Sequence, residues 1–87
     1  MSHSPSFALG KQSFTASATT FSNMIAEVVD QCAAQARREV QQLAQDSDIR
    51  PVEDDVKITV VPCSNEAMRV LVTVFYTNHS AEFFEKR

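Results

Sequence analysis

At 87 residues the chain has room for one hydrophobic core and not for two. Its 44% hydrophobic and 22% charged content is that of an ordinary folded domain and excludes wholesale disorder. A net charge of −3, with basic pairs only at Arg37-Arg38 and Lys86-Arg87, argues against nucleic acid or an anionic membrane surface as partner, since polyanion binding uses many cations on one face.

Residues 1–6 read as a flexible Ser/His/Pro leader, 7–79 as a single α+β domain, and 80–87 as a C-terminal tail or short helical turn. Over Lys11–Ser17, Phe14 and Ala16 share one side while Gln12, Ser13, Thr15 and Ser17 are small and polar, which predicts a first strand. The period then changes. Phe21, Met24, Ile25, Val28, Val29, Cys32, Ala36, Val40 and Leu43 recur at three- and four-residue steps, the spacing of one helical face. This predicts a helix from Thr20 to about Gln45, capped by Thr20 or Ser22 and stopped before Pro51.

Asp46–Asp55 carries five acidic residues and reads as a polar connection. It has neither the glycine nor the spaced bidentate glutamate of an EF-hand, so a solvated linker is favoured, with a weak divalent-cation site as the alternative for 46–55. Two alternating β-branched runs follow. Val56–Val61 sets Val56, Ile58 and Val60 against Lys57, Thr59 and Val61, and Met68–Thr77 sets Met68, Val70, Val72, Val74 and Tyr76 against Arg69, Leu71, Thr73, Phe75 and Thr77. Pro62–Glu66 reads as the hairpin loop joining them. The fold class is therefore α+β, in the order β-α-β-β, with one long amphipathic helix packed on a three-stranded antiparallel sheet. The helix is expected to cover Val56, Ile58 and Val60 together with Val70, Val72 and Val74.

The second sheet face is not cleanly polar. Val61, Leu71 and Phe75 fall on it, with Tyr76 and Phe83-Phe84 close in sequence. A sheet with one wet face should alternate apolar-in and polar-out, so the extra apolar groups imply a second cover. A three-stranded sheet also leaves two edges open to pairing. Self-association through Val61, Leu71, Phe75 and Tyr76 is the expected outcome, with a small molecule as a further candidate ligand. A monomeric adaptor that binds a larger protein through a sheet edge or the distal helix is the alternative.

Catalytic and metal chemistry finds little footing. With a single glycine there is no phosphate-cradling loop. His3 and His79 have no Cys or His at ligand spacing, so no metal site is expected. Cys32 falls on the apolar helical stripe, where it acts as a small hydrophobe, and Cys63 is the more exposed thiol. Arg37-Arg38 reads as a solvated pair with Glu39 nearby. The chain is not expected to be an enzyme; the weakest reading is an enzyme site built between subunits from Cys63, His79 and the acidic connection. No export signal or membrane span is evident, and a cytoplasmic location is expected.

In element order the chain resembles the dodecins, small β-α-β-β proteins that assemble into hollow, flavin-binding shells. The resemblance rests on Ser17-Ala18-Thr19-Thr20-Phe21, similar to that family's approach to its helix, and on two alternating runs. These are Lys57-Ile58-Thr59-Val60-Val61 and Arg69-Val70-Leu71-Val72-Thr73-Val74-Phe75. It implies a shared architecture and assembly habit. There is no tryptophan to stack a flavin ring, and no counterpart of the family's flavin-contacting glutamine in Val56–Val61 or Met68–Thr77. No cofactor is therefore predicted from the residues, and flavin stands only as what the resemblance implies, without the tryptophan that would stack it.

Overall fold

The computed structural model describes residues 9–45 and 47–80, so Asp46, the leader and the tail from residue 81, with Phe83 and Phe84, lie outside the described residues. Strand β1 spans Gly10–Phe21, and a 3-10 turn at Ser22–Met24 leads into helix α1, Ile25–Gln45. Strands β2, Ile49–Ser64, and β3, Ala67–Ser80, complete the chain. The sheet order is β1-β3-β2 with both pairings antiparallel, which confirms the α+β class and the β-α-β-β order.

β1 begins at Gly10, whose φ of +90° suits glycine and strains any other residue. It runs four residues beyond the predicted strand, and Phe21 ends it instead of opening the helical stripe. The helix accordingly starts later than predicted. Phe21 precedes the 3-10 turn in an extended conformation (φ −85°, ψ 156°) with no side-chain cap, so neither Thr20 nor Ser22 plays the expected capping role. From Ile25 onward no Gly or Pro interrupts the helix, and its buried stripe is Cys32, Ala33, Ala36 and Val40.

The core is made of small and medium side chains. Ala16 of β1, Cys32, Ala33, Ala36 and Val40 of α1, and Val70, Val72, Val74 and Tyr76 of β3 form one buried cluster, with Phe14, Ile25, Val28, Val29 and Val56 packed against it. The largest fully buried side chains are valines. Alanines on both the helix and β1 let α1 lie close to the sheet over β1 and β3, and it meets β2 much less.

That placement corrects one expectation. By register Val56, Ile58 and Val60 stand opposite Val74, Val72 and Val70 on the inner face, as their alternation predicts. The helix nevertheless covers the β3 partners and reaches β2 only as far as the half-buried Val56, leaving Ile58 51% and Val60 36% exposed.

Two segments predicted as loops belong to β2. The polar connection is strand from Ile49, and Pro62–Ser64 continues the strand, leaving a two-residue turn at Asn65-Glu66. β2 is an edge strand, where charges and prolines are tolerated because one side of its backbone ladder faces solvent. Acidity and Pro51 therefore carried the appearance of a loop without its structure. Bulges at Asp54 and Cys63 absorb the irregularity.

Candidate interaction surface on the outer sheet face

The face of the sheet away from α1 is set by the register. Lys11, Ser13, Thr15, Ser17 and Thr19 of β1 pair with Thr77, Phe75, Thr73, Leu71 and Arg69 of β3, whose other partners on β2 include Asp55, Lys57, Thr59 and Val61. Among the described residues no element covers this face. Phe75 is 37% and Val61 44% exposed, and Leu71 is half-buried between Ser17 and Thr59. Around them runs a hydroxyl lattice in which the Thr15 and Thr73 Oγ1 atoms lie 2.7 Å apart, a cross-strand hydrogen bond that fixes both rotamers.

Tyr76, grouped with these residues from the sequence, belongs elsewhere. It lies on the inner face, buried to 6% exposure, with its ring edge-on to Phe14 at 6.2 Å between centroids. The period of two had already put it with Val70, Val72 and Val74, and nearness to Phe75 in sequence is no guide to the face of a strand. Exposed apolar residues that the sequence reading did not select include Phe21 at 63% and Val52 at 42%, besides Ile58 and Val60. The legible signal for the last two was the pair of prolines, which marks β2 as an edge strand.

The acidic residues of the former connection are distributed by the bulge at Asp54. Glu53 turns to the helix side opposite Tyr76 and takes a two-pronged hydrogen bond from Arg37, Nε to Oε1 at 2.8 Å and Nη2 to Oε2 at 3.0 Å. The Arg37 hydrogen bond, with the guanidinium charge behind it, holds the Glu53 carboxyl below the usual carboxylate range, and Arg37 is held correspondingly higher. Burial raises the Tyr76 phenol, the Glu53 charge adds to that, and Arg37 opposes it. The Thr77 hydroxyl donates to Asp54, and Asp55 Oδ1 accepts from the Val56 backbone N–H at 2.8 Å. At the same end of the sheet Asn78 Nδ2 donates to Gln12 Oε1 at 2.8 Å.

With Glu53, Asp54 and Asp55 each engaged separately, they do not converge. Among the described residues no group of three or more His, Cys, Asp or Glu is placed to hold a metal ion. Cys32 is buried and Cys63 exposed, both as free thiols. Cys63 sits at the hairpin end of β2, whereas His79 pairs with Arg50 at the far end of β3. About eleven residues of strand, roughly 35 Å, separate them, so one chain does not bring them into a common site. His3 lies outside the described residues. Among the described residues no helix is long and apolar enough to cross a membrane. Comparison with protein-family models, curated proteins and solved structures finds no match.

Proposed function

We propose that the chain is a binding protein, not a catalyst, that works as an assembly of identical copies, serving as a scaffold or small-ligand carrier. One observation carries the reading: among the described residues no element covers the outer sheet face, and Val61, Leu71 and Phe75 are spaced along it. Val61 and Leu71 are diagonal neighbours and Phe75 lies about 13 Å further along β3, at positions where an antiparallel sheet with one wet face should carry polar groups. The small core gives a second reason. With no side chain larger than valine fully buried among the described residues, apolar area hidden between copies adds to stability that one copy lacks. The β-α-β-β order shared with the shell-forming dodecins supports the reading at the level of architecture.

Sedimentation velocity together with native mass spectrometry of the purified protein tests it. The wild type should run as a discrete multimer at micromolar concentration, and Phe75→Lys should lower its size while keeping the circular-dichroism spectrum. A folded wild-type monomer overturns the reading, as does a Phe75→Lys variant of unchanged size. A monomer that retains one larger protein on purification would instead favour the adaptor alternative.

A further inference from the structure

We infer that two copies join edge to edge through β2, about a twofold axis at Thr59, to make one continuous six-stranded sheet. The inference deepens the assembly reading above by naming a contact that the outer face does not supply.

The backbone identifies the open groups. In an antiparallel pair, residues directly opposite either exchange both N–H···O bonds or exchange none. Pro51 faces Asn78 and Pro62 faces Met68, and a proline has no N–H to exchange. Both prolines fall opposite even-numbered residues of β3, so these are the pairs without bonds. Val56, Ile58 and Val60, opposite Val74, Val72 and Val70, belong to the same set and direct their N–H and C=O groups to the open edge. The Val56 N–H bears this out independently, since it donates to the Asp55 carboxylate. Two donors per chain, those of Ile58 and Val60, are left facing outward in a stretch bounded by the Asp54 bulge and by Pro62.

A second copy of this edge is their complement. With the axis at Thr59, Ile58 of each chain faces Val60 of the other, and the four outward N–H groups meet four carbonyls. The next pair outward sets Val56, whose N–H is already taken, against Pro62, which has none, so the ladder ends with no donor stranded. Side chains agree with this register. On the inner face Ile58 and Val60, 51% and 36% exposed in one chain, pack against each other across the junction. On the outer face Thr59 meets Thr59, a favourable cross-strand pair, and Lys57 lies along Val61.

Charge selects the same half of the strand. Glu53, Asp54 and Asp55 repel their counterparts if the axis lies near them, whereas an axis at Thr59 sets the two Asp55 side chains about 26 Å apart, beyond the Debye length of about 8 Å. Both helices then lie on one side, and the outer faces of the two copies join into one surface around both Phe75 side chains.

The test uses the full-length chain. Ile58→Pro removes an outward donor and no bond to β3, and Val60→Lys puts a charge at the junction on a side chain already part-exposed. Both should stay folded by circular dichroism and lose the edge dimer, whereas Phe75→Lys should still dimerise. In a Cys63→Ser background, Thr59→Cys should form an interchain disulfide under mild oxidation, because the mates sit about 4.5–5.5 Å apart. Lys57→Cys should not, because its mates are about 14 Å apart. Unchanged assembly in Val60→Lys overturns the edge pairing and leaves the outer-face reading standing, as does readier cross-linking at position 57 than at 59. Monomers in Phe75→Lys combined with multimers in Ile58→Pro overturn it in the same way.

Discussion

Val72 and Ile58 face each other across neighbouring strands on the same side of one sheet, yet Val72 is fully buried and Ile58 is 51% exposed. The next pair repeats the contrast, with Val70 at 0% beside Val60 at 36%. Local pattern and face are the same for both members of each pair, although β3 is the central strand and β2 an edge. The difference is the helix, which lies over β3 and β1 and stops short of the hairpin half of β2. Burial in this protein is thus a property of which strand the helix can reach, and the uncovered strand is the one that offers both apolar side chains and free backbone donors.

The contrast can be broken most directly by truncating the two facing side chains to alanine. Val72→Ala should cost about 2–3 kcal/mol in urea unfolding, from lost transfer energy plus a cavity. Ile58→Ala, measured on dilute protein so that association does not contribute, should cost less than about 1 kcal/mol. Equal losses would mean that the helix covers β2 after all.

The close approach of α1 to the β1–β3 half is sharpened at Ala36, which is fully buried. Ala36→Val should destabilise by about 1–3 kcal/mol through overpacking, read as a lower urea midpoint with unchanged slope. The same exchange at Ala34, on the exposed side of the helix, should move the midpoint little, by the propensity difference of about 0.5 kcal/mol.

Smaller effects come from the Arg37–Glu53 bridge between helix and β2. Arg37→Ala should cost no more than about 1 kcal/mol, because the pair is surface-exposed. The Glu53 carboxyl has a lowered pKa in the fold. Its contribution is therefore complete above the unfolded carboxylate range near pH 4 and is lost as pH falls through the folded value. Arg37→Ala should flatten this acid limb in urea titrations between about pH 2 and 5.

Tyr76 moves the opposite way. Its phenol is raised by burial, so its share of stability is complete below about pH 10 and disappears as pH rises through the folded value. It is the only tyrosine in a chain without tryptophan, so its absorbance reports this titration alone. Glu53→Gln should shift the titration down and Arg37→Ala should shift it up.

Much of the architecture was legible in the residues. The 3.6-residue spacing from Ile25 to Val40 and the alternation of Val56–Val61 and Met68–Thr77 gave the helix, two strands and their faces, because those periods follow from backbone geometry. They also put Val61, Leu71 and Phe75 on the outer face. The strand hidden in Ile49–Asp55 was not legible, because an edge strand accepts acids and prolines that mark a loop elsewhere. The helix start was misread because Phe21 fits the helical period equally well as the last residue of β1.

What the sequence determined by itself was local: periodicity, face and the order of elements, all set by steric and hydrophobic preferences within a few residues. Only the tertiary structure decided the order β1-β3-β2, the docking of α1 on two strands out of three, and hence which valines are core and which are surface. Those depend on how closely alanine-lined surfaces from distant parts of the chain can approach, a quantity that no single stretch of residues contains.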